Sequence, residues 1–203
     1  MLRGWQEKYA SLGLAGFLEL GELLFLSGKY EEGALAIRFV RKHRDSLDET
    51  HLPALARWFE CGLSNWAHTD ALCADLLAPL LEQERIRLPA LAPWRESKWK
   101  YQRRAVPVAM LGLLKKPGGA AAPLLEFLRP LTADPERVVH QGAGWFLREA
   151  WKKHPEPVES FLLEWKDRAA RLIIQYATEK MTAAGRARFR RGKSSSPPAR
   201  RSA

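Results

Sequence analysis

Three short segments of the chain carry the residue types that could do chemistry. They are residues 65–70 (NWAHTD), 94–104 (WRESKWKYQRR) and 141–149 (QGAGWFLRE). Together they hold tryptophans, a cluster of arginines and few carboxylates. Basic side chains interleaved with aromatic rings bind polyanions, and a fixed carboxylate stabilises a developing cation. We therefore expect one surface that holds a polyanion and stabilises a positive charge.

The first segment places a tryptophan and a carboxylate four residues apart. On a helix, Trp66 and Asp70 share one face and lie one turn apart. The carboxylate stabilises a cation by its charge and the indole face by its quadrupole. On spacing alone, the commoner explanation is a core Trp66 beside an ordinary surface Asp70, so both interpretations stay open at this point.

The second segment is basic, with a single acid. Its cationic residues are Arg95, Lys98, Lys100, Arg103 and Arg104. Such a composition is typical of a nucleic-acid interface, and equally of a solvated basic face with one buried aromatic ring. Arg103 and Arg104 are about 100° apart on a helix, so at most one of them faces a given ligand directly.

The third segment contains Trp145 between residues that are costly in a helix. Gly142 and Gly144 each destabilise a helix interior by about 1 kcal/mol relative to alanine. We therefore predict that another element packs closely against them. Glu149 follows Arg148 and is equally explained as a structural partner of a neighbouring basic residue.

The net charge of the chain is +10, and it is unevenly distributed. From Thr182 onward the sequence has seven basic residues and no acid. A basic tail is typical of non-specific contact with a nucleic acid or a membrane surface, and equally of a solvated disordered segment. We predict a helical domain over residues 1–184 and a disordered basic tail over residues 185–203.

Several other classes of protein and site are not supported by the sequence. Cys61 and Cys73 form no disulfide framework and suggest a reducing compartment. Their spacing to His68 fits no common zinc pattern, and neither a glycine-rich phosphate loop nor a nucleophile elbow occurs. Residues 12–26 are too short and too charged to span a membrane. We expect a cytoplasmic, nucleoid-associated monomer without metal or cofactor.

Helical periodicity is the dominant pattern along the chain. Ser64 or Asn65 is a candidate cap for a helix that runs to about Gln83. Pro107 should kink or end the helix that carries Arg104, and a last long helix is predicted from Pro157 to about Ala184. Helices follow each other in antiparallel pairs at a period of roughly 40 residues. This predicts an all-α fold, an α-solenoid of HEAT-like helix pairs with a concave face.

In this order and spacing, the three segments resemble the AlkD-like family of DNA alkylation repair proteins, which are alkylpurine DNA glycosylases built from HEAT-like repeats. The similarity runs from about Tyr30 to Met181. Residues 48–53 (DETHLP) are similar to the family's segment ahead of its active-site helix. The resemblance implies that Trp66 and Asp70 are the family's tryptophan and catalytic aspartate, and that Trp145 lines the DNA-facing cleft opposite Trp66.

The resemblance also implies a set of DNA contacts. Arg104 is the better match to the family's DNA-backbone arginine, because Ala105 and Val106 follow it. Arg103 is the second choice, and Lys98 and Lys100 are weaker phosphate ligands. The family normally carries a further N-terminal repeat, so the first repeat here is expected to be short or missing. An exposed apolar surface is then expected over residues 12–26.

The implied activity is hydrolysis of the N-glycosidic bond of cationic alkylated purines, such as 7-methylguanine and 3-methyladenine, in double-stranded DNA. No cofactor is required. The alternative is a noncatalytic HEAT-repeat module that binds unusual DNA structures or a protein partner, since the family also contains members that bind DNA without glycosylase activity.

Overall fold

The computed structural model describes residues 2–115 and 120–191, without the side chains of Leu2, Arg3 and Gln6. Its α-helices in chain order are α1 (Leu2–Lys8), α2 (Gly13–Leu26), α3 (Tyr30–Arg41), α4 (Leu52–Glu60), α5 (Trp66–Leu72), α6 (Ala78–Glu82), α7 (Ala92–Arg95), α8 (Lys100–Ala109), α9 (Ala121–Leu128), α10 (Arg137–Lys153), α11 (Pro155–Trp165), α12 (Arg171–Ala177) and α13 (Ala183–Ala187). Over these ranges no strand occurs, so the all-α prediction is confirmed. Their arrangement as a solenoid with a concave face stays a prediction. None of the described helices is long and apolar enough to cross a bilayer.

Local signals in the sequence set several helix ends. Asn65 caps α5, because its side-chain oxygen accepts the backbone N–H of His68 at 2.8 Å. Pro107 lies inside α8, which ends at Ala109. The prediction of a single helix from Pro157 to about Ala184 was wrong, because the helix is interrupted between α11 and α12. At the break, the N–H of Ala170 donates to the carbonyl of Thr132 at 3.2 Å, a tertiary contact that the local pattern does not contain.

Helix α10 packs against both α8 and α12. A Cβ atom on Gly144 would lie 2.5 Å from the Cβ of Tyr176, and one on Gly142 would lie 3.3 Å from the Cγ of Arg104. The close packing predicted from these two costly glycines is confirmed. The consequence is that side chains of α8 and α12 approach α10 closely enough to share a site with it.

The N-terminal end of the fold exposes apolar side chains. Leu23 and Leu26 of α2 are 65% and 63% exposed, and Leu12 is also exposed. The opposite side of α2 is buried, with Phe17 and Phe25 in the core. The predicted apolar surface is therefore present, and the short or missing first repeat stays a prediction.

The C-terminal segment is ordered further than predicted. Disorder from residue 185 was wrong for residues 185–191, because residues 185–187 belong to α13 and the turn after it buries Phe189, which is 2% exposed. The guanidinium of Arg191 also donates to the carbonyl of Ala169 at 2.8 Å. One buried ring anchors the segment, and a single apolar residue gives no periodic signal. The rest of the predicted tail, residues 192–203, lies outside the described residues.

Candidate active site and nucleic-acid interface

A cleft of about 400 Å³ lies where α5, α8, α10 and α12 meet. Its lining residues are Trp66, Asp70, Arg104, Gln141, Trp145, Arg148 and Tyr176. Each of the three segments identified in the sequence contributes to this lining. The fold therefore brings together the tryptophans, the carboxylate and one arginine that the sequence predicted to share a site.

Helix α5 presents both Trp66 and Asp70 to the cleft. Trp66 is 62% exposed, which rules out a core tryptophan at this position. His68, between them, is buried and points the other way, towards α3. Its Nε2 donates to the carbonyl of Tyr30 at 2.9 Å, and its Nδ1 accepts from the Asn65 amide at 2.8 Å. Burial lowers the pKa of His68, so its ring is neutral and holds α5 against α3 through the bond to Tyr30.

The carboxylate of Asp70 is held by a bidentate ion pair with Arg104. The Nε of Arg104 donates to Oδ1 at 3.0 Å and its Nη2 donates to Oδ2 at 2.9 Å. The third arm of the guanidinium donates to the carbonyl of Val138 at 2.9 Å and so joins α8 to α10. The Arg104 side chain is 7% exposed and that of Asp70 is 19% exposed. The carboxylate is thus fixed in place with one side open to the cleft.

This arrangement bears on the predicted role of Arg104 as a phosphate ligand, which stays a prediction. A buried guanidinium that is paired on all three arms cannot turn to a phosphate without leaving a carboxylate unpaired. Arg103, the second choice, is paired as well: its Nε donates to Asp134 at 2.5 Å and its Nη1 to the carbonyl of Ser97 at 2.6 Å. The sequence criterion found the arginine that reaches the cleft but not the partner that it meets there.

Lys98 and Lys100 lie around the start of α8 and do not line the cleft. Both are exposed. The ammonium of Lys98 is 4.9 Å from the centre of the Trp99 ring, and that of Lys100 is 3.6 Å from a Glu136 carboxylate oxygen. These weak surface contacts leave both side chains accessible, and their predicted contact with DNA stays a prediction.

Three residues of the cleft had no predicted role. Gln141 and Arg148 flank Trp145 on α10 at positions i−4 and i+3, so helical spacing from the tryptophan would have found them. Tyr176 belongs to no motif, and only the close crossing of α10 and α12 brings it to the site. Its hydroxyl accepts from the Gln141 amide at 3.1 Å. Arg148 donates to Glu179 and Glu149 and is therefore paired, as Arg104 is.

Other reactive groups of the described chain are engaged elsewhere. In residues 2–115 and 120–191, no three His, Cys, Asp or Glu side chains are grouped as metal ligands. Cys61 and Cys73 are free thiols. Burial raises the pKa of Cys73 well above its ordinary value, so that thiol stays protonated and unreactive. Asp70 is the carboxylate that the described part of the chain supplies to the cleft lining.

Comparisons with known proteins bear on this site. No curated protein matches the chain. The family described as DNA alkylation repair enzyme matches residues 1–181, a range that includes every residue lining the cleft. Because this match covers most of the 203 residues, the chain belongs to the DNA alkylation repair enzyme family, as its resemblance to AlkD-like proteins predicted.

Proposed function

We propose that the protein is a DNA glycosylase that hydrolyses the N-glycosidic bond of cationic alkylated purines, 7-methylguanine and 3-methyladenine, in double-stranded DNA. One observation carries the proposal: a fixed carboxylate, Asp70, lines a cleft together with Trp66 and Trp145 in a chain of a DNA repair family. This site offers negative charge and aromatic surface, which are the two features that a cationic lesion requires.

The chemistry of the lesion explains why one carboxylate is enough. A purine alkylated at N3 or N7 is already positively charged, so it leaves as a neutral base without protonation. The bond between C1′ and the base nitrogen breaks, and its electron pair goes to the base. The positive charge passes to the sugar, whose transition state resembles an oxocarbenium ion. A carboxylate fixed beside this sugar stabilises the charge as it develops.

The ion pair with Arg104 fits this role. Each Asp70 oxygen accepts one N–H from Arg104, and a carboxylate oxygen has further lone-pair capacity. A water molecule in the cleft can donate to that capacity and lose its proton as its oxygen adds to C1′. Arg104 acts as a positioning residue, because it orients the carboxylate before the reaction begins and no reorganisation is then needed.

The aromatic residues supply contact area. Trp66 is exposed and Trp145 is half-buried, so both rings can pack against the sugar and backbone of the damaged nucleotide. Lys98 and Lys100, accessible around the start of α8, hold nearby phosphates. The lesion is thus held by stacking and by backbone contacts, while Asp70 carries the chemistry.

A second candidate is a noncatalytic module that binds unusual DNA structures or a protein partner. The observation in its favour is that Arg104 compensates the charge of Asp70, which weakens the field that the carboxylate exerts in the cleft. Salt distinguishes the two binding modes of this candidate. Binding to DNA weakens steeply as salt is added, whereas binding in a protein groove does not.

The deciding experiment is base release from methylated duplex DNA. The protein is incubated with DNA that contains 7-methylguanine and 3-methyladenine, and the free bases are separated and quantified. We expect release well above that of a protein-free sample, which measures spontaneous depurination, and loss of this excess in Asp70→Asn. Tight binding to the duplex with release at the spontaneous rate would replace the glycosylase by the noncatalytic module.

A further inference from the structure

A second concave surface, which we name the C-terminal groove, lies beside the cleft. It has a volume of about 580 Å³. Its lining residues are Lys166, Arg171, Ile174, Gln175, Thr178, Arg186, Phe189, Arg190 and Arg191. Five of these are basic and none is acidic. The groove is therefore a concentrated patch of positive charge that differs in composition from the cleft.

The positive charges of the groove are uncompensated. In the described chain, none of its five basic residues forms an ion pair with a carboxylate. The side chains of Arg171 and Arg190 are exposed and have no partner there. Arg188, which lies outside the groove, pairs with Glu159. The arginines that face the groove are thus without a carboxylate partner in the described chain.

Two of the groove arginines are also fixed in position. Arg186 donates to the carbonyl of Met181 at 3.0 Å, and Arg191 donates to that of Ala169 at 2.8 Å. These bonds use neutral acceptors and so leave the guanidinium charge intact. Phe189, buried between them in sequence, anchors the segment to the core. The groove is therefore a built surface rather than a set of arginines on a loose tail.

The C-terminal wall of the groove comes from residues beyond the family match. That match ends at residue 181, and Arg186, Phe189, Arg190 and Arg191 follow it. The other wall belongs to α12, to Thr178 after it and to Lys166 in the connection before it. Helix α12 is shared, because its Tyr176 lines the cleft while the preceding Gln175 lines the groove. Consecutive residues point about 100° apart on a helix about 10 Å wide, so the two sites lie on neighbouring faces of α12, at most about 10 Å apart across it.

We propose that the C-terminal groove binds backbone phosphates of the same DNA duplex whose damaged nucleotide lies in the cleft; this rests on the proposed function. Guanidinium groups bind phosphate in bidentate geometry. A separation of up to about 10 Å corresponds to roughly three base pairs or fewer at 3.4 Å each. The groove therefore contacts the flanking duplex and adds affinity that does not depend on sequence or damage.

The test is the salt dependence of binding to an undamaged duplex. Arg171→Gln with Arg190→Gln removes two charges that have no described partner, so the fold should be retained, and a thermal melt checks this. Each lost phosphate contact lowers the slope of log affinity against log salt by about 0.9. We expect a slope that is lower by about 1 to 2. The control, Lys42→Gln with Arg87→Gln, removes the same net charge from exposed residues outside both sites and should leave the slope unchanged.

The outcomes separate the groove from the glycosylase. The proposal that the groove binds phosphate would be overturned by an unchanged salt slope in the groove variant, or by equal falls in the slopes of the groove variant and the control. This holds whether or not the unsubstituted protein releases bases from methylated DNA. If the unsubstituted protein binds duplex but releases no base, the glycosylase fails, and the groove is judged on the slope alone. Arginine-dependent binding to phosphatidylserine vesicles with an unchanged duplex slope would assign the groove to a membrane surface and overturn the proposal.

Binding to shortened duplexes tests the position of the groove contact independently of the salt slope. A duplex with one central lesion analogue is shortened on one side to about two base pairs and then, separately, on the other. If the groove contacts one flank, the affinity difference between the unsubstituted protein and the groove variant disappears for one shortened duplex and persists for the other. A difference that survives both truncations would contradict a contact at this distance.

Discussion

The cleft and the C-terminal groove differ in whether their arginines are paired with carboxylates. In the cleft, Arg104 and Arg148 are both paired with carboxylates. In the groove, five basic residues have no carboxylate partner within the described chain. The two sites adjoin along α12, so the contrast arises within one helix width. Paired charge serves to hold a reactive group in place, and unpaired charge serves to attract a polyanion.

Desolvation explains why the contrast is possible. The Arg104 side chain is 7% exposed, and a cation so far from water is strongly destabilising unless a carboxylate meets it. Arg171 and Arg190 remain in water and need no partner. Their attraction to phosphate is screened by salt, whereas the buried pair is screened much less. Salt therefore distinguishes the two sites experimentally.

The largest expected effect follows from removing the carboxylate of the cleft. Asp70→Asn should lower the rate of base release by at least ~10²-fold, because one preorganised electrostatic group is lost. Affinity for undamaged duplex should stay the same or rise, since a negative charge near phosphate is gone and Arg104 is released. Single-turnover base release and duplex binding measure the two effects. Normal excision by this variant would remove Asp70 from the mechanism.

Arg104→Ala tests positioning against phosphate binding. A hydrogen bond to a charged group contributes about 1.5–3 kcal/mol, so we expect base release to fall by about tenfold to a hundredfold with the salt slope unchanged. Arg104→Lys, which keeps the charge but not the bidentate geometry, should be intermediate.

The matched control for Arg104 is Arg103→Ala, because the partner of Arg103, Asp134, does not line the cleft. That variant should lose stability while the folded protein retains its rate. A fall in the salt slope of about one for Arg104→Ala, with the rate intact, would show Arg104 to be a phosphate ligand.

The boundary between the two sites depends on Gly144. An added methyl group would lie 2.5 Å from the Cβ of Tyr176, so Gly144→Ala should lower the free energy of unfolding by about 1–3 kcal/mol. Gly142→Ala, with contacts at 3.3 Å, should cost less, and Gly4→Ala in α1, with nothing within 4 Å, should be neutral or stabilising because alanine favours a helix. Denaturant unfolding of the three variants gives the ranking. Equal values would show that α10 and α12 separate at little cost.

The free energy of unfolding should also fall in acid, because of His68 on α5. Its pKa is lowered in the folded state because burial favours the neutral ring. The stability that it contributes is fully present above the unfolded value of about 6.5 and is lost as the pH falls through the lowered folded pKa. Unfolding measured from pH 8 to pH 5 should show this loss, and His68→Gln should flatten it. The same profile in both proteins would exclude His68 as the cause.

The smallest effect is expected at the start of α8. Lys98→Gln and Lys100→Gln should each lower the salt slope by less than one contact, because the lysines are exposed and weakly engaged with Trp99 and Glu136. Base release by protein saturated with DNA is the second measurement. A larger fall in the salt slope here than in the groove variant would move the main electrostatic surface from the groove to α8.

Local sequence predicted the elements of the site well where the signal is itself local. The cap at Asn65, the shared face of Trp66 and Asp70, and the glycines that admit a close helix crossing all follow from neighbouring residues. The break after α11 did not follow, since it depends on a bond between Ala170 and Thr132.

The sequence by itself determined the helical class, the family and the residue types that meet in the cleft. The tertiary structure decided which charges are free. Arg103, Arg104 and Arg190 look alike in the sequence, yet two of them are paired below the surface and one is exposed in a groove. An arginine's role depends on which carboxylate lies within about 4 Å and how much water surrounds it. Both quantities are set by the packing of helices that are distant in sequence.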